Sequence, residues 1–89
     1  MTDKQIYLTA IDRFGRHTQT DKSIEEMSEL VKALLKYRAD PTRENLENVR
    51  EEMADVEIML KQLKLLYGNY DTWTEHKLRR LQARLGFKE

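Results

Sequence analysis

Apolar residues recur along much of the chain at alternating intervals of three and four positions. This is the period of one face of an α-helix, so the pattern predicts a series of amphipathic helices and an all-α protein. One long stripe comprises Leu46, Val49, Met53, Val56, Leu60, Leu63 and Tyr67. A second comprises Ile24, Met27, Val31 and Leu34 and is widened by Leu30 and Leu35.

Local signals mark where the first two helices begin and end. Residues 2–5, Thr-Asp-Lys-Gln, form a capping box that opens the first helix, and Gly15 ends it. The second helix begins near Thr18 or at Ser23, and the sequence leaves both starts open. In the second case Ser23 is the N-cap and Glu26 is a capping glutamate rather than a ligand.

The third and fourth helices have signals of their own. Asp40 as N-cap and Pro41 at the first helical position predict the start of the third helix, which Gly68 closes. Residues 72–75, Thr-Trp-Thr-Glu, form another capping box and predict a fourth helix that Gly86 ends.

Two pairs of acidic residues lie on either side of the break between the second and third helices. Glu26 and Glu29 share one face of the second helix, three positions apart. Glu52 and Asp55 share one face of the third helix in the same way. The break at residues 38–42 allows only a tight turn, so the helices are antiparallel neighbours. Both pairs lie roughly 20 Å from the turn at ~1.5 Å per residue, and we expect the four carboxylates to meet.

The position of these acids suggests why they would need a ligand. Glu52 falls within the apolar arc of its helix and Glu26 borders the arc of the other, so like charges converge at the edge of a core. Proton sharing would reduce this cost, but four hard oxygen ligands are better matched by Mg²⁺ or Mn²⁺. The alternative is a set of solvated acids, since 36% of the residues are charged. Because the two pairs lie at the same distance from the turn and on matching faces of their helices, a metal site is favoured over a set of solvated acids.

The same residues resemble the signature of a known superfamily. Glu25-Glu26-x-x-Glu29 followed by Glu52-x-x-Asp55 resembles the EExxE…ExxD pattern of the all-α nucleoside triphosphate pyrophosphohydrolases. That superfamily includes MazG-like proteins, dimeric dUTPases and phosphoribosyl-ATP pyrophosphohydrolases. The resemblance spans most of the chain and is closest to the short, single-domain MazG-like proteins.

Residues outside the acidic pairs extend the resemblance. Those that match are Gly15-x-x-x-Gln19 upstream and Lys77-Leu78-x-Arg80-Leu81 downstream. The resemblance implies one domain over residues 1–89, with a MazG-like fold. That fold is a bundle of four helices per chain, built on a helical hairpin and completed by oligomerisation.

The activity that the resemblance implies is Mg²⁺-dependent hydrolysis of a nucleoside triphosphate between its α- and β-phosphates, which gives a nucleoside monophosphate and pyrophosphate. Glu25, left free of direct ligation, would orient or deprotonate the attacking water. Gln19 would lie near the base or sugar, and Lys77 and Arg80 would stabilise the departing pyrophosphate. Mn²⁺ would serve as a substitute for Mg²⁺. The implied metal ligands are Glu26, Glu29, Glu52 and Asp55.

Each of these roles has an ordinary alternative when the residues are read alone. Gln19 would be a surface glutamine, and Lys77 and Arg80 would belong to a solvated basic face. The competing functions are a non-catalytic helical oligomerisation module and a nucleotide-binding regulator without turnover.

Composition and charge narrow the classes of protein to which this chain can belong. Sixteen basic and sixteen acidic residues cancel, so no overall field favours nucleic acid or a membrane surface. No run approaches the ~20 apolar residues of a membrane span, and the polar first residues do not resemble a signal peptide, so we expect a cytoplasmic protein. A chain of 89 residues has a thin core, and its apolar stripes are broader than a lone hairpin can cover. We therefore expect a homodimer or homotetramer.

Overall fold

The structure of the protein is a computed structural model that describes residues 1–87. Within these residues the chain forms four α-helices and no strand, so the prediction of an all-α protein with four helices is confirmed. The last two residues of the predicted domain, 88–89, lie outside the described part. The helices are α1 (Asp3–Phe14), α2 (Arg16–Ala39), α3 (Arg43–Tyr67) and α4 (Asp71–Arg84).

Helices α2 and α3 form the antiparallel hairpin on which the fold is built, and α1 packs against both. The apolar side chains buried between the helices are few, namely Ala33, Val49 and Met59. Polar bonds supplement them along the seam between α2 and α3. Gln19 Nε2 donates to Gln62 Oε1 at 2.7 Å, and both side chains are buried. Polar contacts therefore join the two helices of the hairpin in addition to its apolar packing.

The start of α2 lies earlier than the sequence signals indicate. The helix begins at Arg16, directly after Gly15, whose φ of +90° ends α1 as predicted. The predicted start near Thr18 is therefore close, and the predicted start at Ser23 is wrong. Ser23 lies inside the helix, where its hydroxyl donates to the carbonyl of Gln19 at 2.8 Å. Glu26 consequently has no capping role, which removes that alternative to a ligand.

The predicted start of α3 is also wrong, by two residues. Thr42 is the N-cap, and its Oγ1 accepts a hydrogen bond from the backbone N–H of Asn45 at 3.1 Å. The Asp40 N–H instead bonds to the carbonyl of Lys36 and ends α2. Pro41 therefore lies in the turn rather than at the first helical position.

The capping box predicted at Thr72 does not form, because α4 begins two residues earlier, with Tyr70 as the N-cap and Asp71 as the first helical residue. Asp71 is held at that point by two contacts that the local pattern does not reveal. Lys64 Nζ donates to its carboxylate at 2.8 Å, and the Asn69 side chain accepts from its backbone N–H. The capping box at Thr2, by contrast, forms as predicted.

Helix α4 packs along none of the other described helices and is tied to α3 only near its first turn. Its apolar side chains therefore stay exposed, with Trp73 at 65% and Leu78 and Leu81 at 46% each. Exposed apolar residues also follow α2, among them Ile24, Val31, Leu34 and Leu35. Apolar surface of this extent is typical of an interaction face. None of the helices described is long and apolar enough to span a bilayer.

The buried pair Gln19 and Gln62 makes a testable contribution to stability. We expect Gln62→Leu to lower the free energy of unfolding by about 1–3 kcal/mol, because it leaves the Gln19 amide buried without its partner. The double variant Gln19→Leu, Gln62→Leu should recover most of the loss, since no polar group is then stranded. Urea unfolding followed by circular dichroism, at one fixed protein concentration, measures both. Additive losses in the double variant would contradict the coupling.

Candidate functional site

Three acidic side chains meet across the hairpin. Glu26 of α2 and Glu52 and Asp55 of α3 each bring one carboxylate oxygen to within 4.8 Å of the others. All three residues are partly buried. We call Glu26, Glu52 and Asp55 the acidic triad. The antiparallel hairpin thus brings together three of the four acids that the sequence placed at equal height.

Glu29, the fourth predicted ligand, lies outside the triad but close enough to act on it. Its carboxylate accepts a hydrogen bond from Lys32 Nζ at 3.2 Å, and its side chain is 45% exposed. Its charge nevertheless contributes to raising the pKa of Glu52. Glu29 is therefore a neighbour of the triad whose own partner is a lysine on the same helix.

Glu52 is the member of the triad with an unmet bonding requirement. Its Oε2 is buried and has no hydrogen-bond partner among the described residues. Burial raises the pKa of Glu52, and the charges of Asp55, Glu26 and Glu29 raise it further. A divalent cation with a preference for oxygen would satisfy the unpartnered atom and offset the repulsion. The donor set therefore fits Mg²⁺ or Mn²⁺.

The neighbours of Glu26 on α2 have different environments. Glu25, the predicted water-activating residue, is exposed and lies outside the triad. Lys22 lies between them in space, with its Nζ 3.1 Å from Glu26 Oε1 and 3.8 Å from Glu25 Oε1. Lys22 is not among the residues predicted from the sequence, although its position four residues before Glu26 is the spacing of a helical ion pair.

Gln19 is buried, whereas the sequence read alone favours a surface glutamine. It is 6% exposed and lies two helical turns before Glu26 on α2. Its amide is bonded to Gln62, which is also not among the residues predicted from the sequence. Gln62 lies three positions after Met59 in the buried arc of α3, and that position within an apolar arc is the signal that points to it.

The basic residues predicted to bind phosphate lie apart from the triad within one chain. Lys77 and Arg80 are exposed on α4, and this helix does not pack along α2 or α3. The described part of a single chain therefore does not bring the basic pair and the acidic triad together.

The burial of Glu52 makes stability depend on pH. Its pKa is raised in the folded state, so between the ordinary glutamate pKa of about 4.3 and the raised value the folded protein binds more protons than the unfolded chain. Stability therefore falls as pH rises through this window. We expect Glu52→Gln to raise the melting temperature by a few degrees at pH 7 in EDTA, and the gain to vanish below about pH 4.

Differential scanning fluorimetry across pH measures this effect. Glu57→Gln is the matched control, because Glu57 is an exposed acid of the same helix. If the difference in melting temperature between Glu52→Gln and the wild type does not change with pH, it does not arise from the raised pKa of Glu52.

The comparisons with known proteins assign neither a family nor a fold. No protein-family model, no curated protein and no solved structure matches this chain. The likeness to the nucleoside triphosphate pyrophosphohydrolases therefore stays a resemblance carried by individual residues. What the site does is inferred from its side chains.

Proposed function

We propose that this protein is a Mg²⁺-dependent nucleoside triphosphate pyrophosphohydrolase that cleaves between the α- and β-phosphates and releases a nucleoside monophosphate and pyrophosphate. The observations that support this best are the convergence of the acidic triad and the buried Glu52 Oε2, which has no hydrogen-bond partner among the described residues. These acids are also positions at which the chain resembles the superfamily signature.

The triad of Glu26, Glu52 and Asp55 would hold the ion. Glu29, one turn further along α2, would join them by releasing Lys32, which is an exposed and flexible partner. When bound, Mg²⁺ supplies charge neutralisation for the phosphates and lowers the pKa of a water molecule. Mn²⁺ would serve in its place, because carboxylate oxygen suits both ions.

The remaining α2 residues have roles around the substrate. Glu25 is exposed beside Glu26, and its carboxylate would orient the attacking water or accept its proton. Gln19 would contact the base or sugar through the parts of its amide that Gln62 does not engage. The bond between Gln19 and Gln62 also ties α2 to α3 about two helical turns from Glu26.

The basic pair Lys77 and Arg80 would reach the departing pyrophosphate from a second copy of the chain. Within the described part of one chain α4 packs along none of the other helices, and its apolar face is exposed. A homodimer or homotetramer would cover this face and the exposed apolar residues of α2. Docking α4 on a neighbouring hairpin would also bring cationic side chains towards the triad, where they would stabilise negative charge.

Pyrophosphate release tests the proposed reaction. We expect the purified protein to release pyrophosphate from at least one member of a panel of ribo- and deoxyribonucleoside triphosphates with MgCl₂, and none in EDTA. The double variant Glu52→Ala, Asp55→Ala should lower the rate at least about 100-fold. In metal sites, the loss of a residue that only hydrogen-bonds to a metal ligand already lowers metal affinity or activity by about 10–100-fold.

A matched variant separates the site from general charge effects. Glu51→Ala, Glu57→Ala removes two acidic charges from exposed positions of the same helix and should retain most of the activity. Full activity in Glu52→Ala, Asp55→Ala would remove the assignment. Nucleotide binding without hydrolysis would indicate the regulatory alternative instead.

The assembly is testable through α4. We expect light scattering after size-exclusion chromatography to give the mass of two or four chains. Leu78→Glu, Leu81→Glu should shift the protein towards one chain and abolish pyrophosphate release, because charges then replace the docking face. Thr72→Glu, Ala83→Glu adds the same charges to the opposite side of α4 and should change neither property. A wild-type monomer with full activity would contradict the proposed assembly.

A further inference from the structure

Lys22 places a cation against the acidic triad within the chain itself. Its Nζ donates to Glu26 Oε1 at 3.1 Å, on an oxygen of a carboxylate that belongs to the triad. The hydrogen bond to Glu26 and the charge of Glu25 raise the pKa of Lys22, and the charge of Asp55 across the hairpin adds to this. Lys22 is therefore a permanent positive charge beside the triad at neutral pH.

We infer that Lys22 is a resident counter-cation of the acidic triad, and that a divalent ion has to displace it, so that Lys22 sets the affinity of the site. This inference rests on the proposed function, because it takes the triad to be the site of the ion. An ammonium group and a divalent ion repel each other and compete for the oxygens of Glu26.

The surroundings of Lys22 suit displacement rather than permanent blockage. Its side chain is 49% exposed, whereas that of Glu26 is only 14% exposed. Lysine carries its charge on a flexible stem of four carbons, so Nζ can move into water while α2 stays in place. Glu25, 3.8 Å away and exposed, offers the displaced ammonium group a second carboxylate.

The charge of Lys22 has opposite effects on the site without a divalent ion and on the site with the ion bound. Without a divalent ion, Lys22 offsets part of the repulsion among Glu26, Glu52 and Asp55 and stabilises the fold. With the ion bound, the same charge opposes it. Removal of the Lys22 charge should therefore lower the melting temperature in EDTA and raise the affinity for Mg²⁺. If Lys22 served only to stabilise α2, removal of its charge would lower the melting temperature and leave the affinity for Mg²⁺ unchanged.

The test is calorimetric titration of nucleotide-free protein with MgCl₂, paired with melting temperatures in EDTA. We expect Lys22→Gln to lower the Kd for Mg²⁺ roughly tenfold, which is the size of the repulsion between a unit charge and a divalent ion a few ångström apart in hydrated surroundings. Lys22→Arg keeps the charge and should stay close to the wild type. Lys36→Gln removes an equal charge from α2 roughly 20 Å further along the helix and should also leave the Kd unchanged.

Each outcome of the titration either supports or overturns the inference about Lys22. Tighter binding in Lys22→Gln, with the wild-type Kd in Lys22→Arg and Lys36→Gln, supports the inference. An unchanged or weaker affinity in Lys22→Gln, in a protein whose wild type binds Mg²⁺, overturns it and leaves the proposed function standing. Equal tightening in Lys36→Gln also overturns it, because the effect is then one of net charge. Absence of Mg²⁺ binding in every variant overturns both the inference and the proposed function.

Discussion

The repulsion among three carboxylates at the seam of one helical hairpin is the constraint on which the rest of this structure depends. Antiparallel packing of α2 and α3 places Glu26 opposite Glu52 and Asp55, and one oxygen of Glu52 is buried with no hydrogen-bond partner in residues 1–87. Like charges at the edge of a core destabilise the fold unless a counter-charge compensates. Lys22 supplies part of this compensation from α2, and a divalent ion would supply the rest.

The two helices of the hairpin are also joined by a polar bond about two helical turns from the site. The buried apolar side chains are few, and the seam is closed in addition by the amide pair of Gln19 and Gln62. Much of the two apolar stripes stays exposed on α2 and α3, as do the apolar residues of α4. A hairpin of this size is too thin to bury all of its apolar surface.

Sequence reasoning did well wherever the signal lay within one helix or at one glycine. The period of the apolar stripes and the cap at Thr2 and Gly68 describe local geometry, and the structure agrees with them. The starts of α2, α3 and α4 were misplaced. At α3 another local cap, Thr42, takes the place of Asp40, and at α4 Asp71 gains a salt bridge to Lys64 of the preceding helix that no local pattern reveals.

The sequence by itself determined that this is an all-α protein with four helices and that acids of two neighbouring helices lie at equal height, because helical period and turn length depend on local residues. Only the tertiary structure decided which of those acids meet. It brought Glu26, but not Glu29, to Glu52 and Asp55, and it buried Gln19 against Gln62. Such pairings depend on rotation and separation of packed helices, and these are set by contacts between residues far apart in the chain.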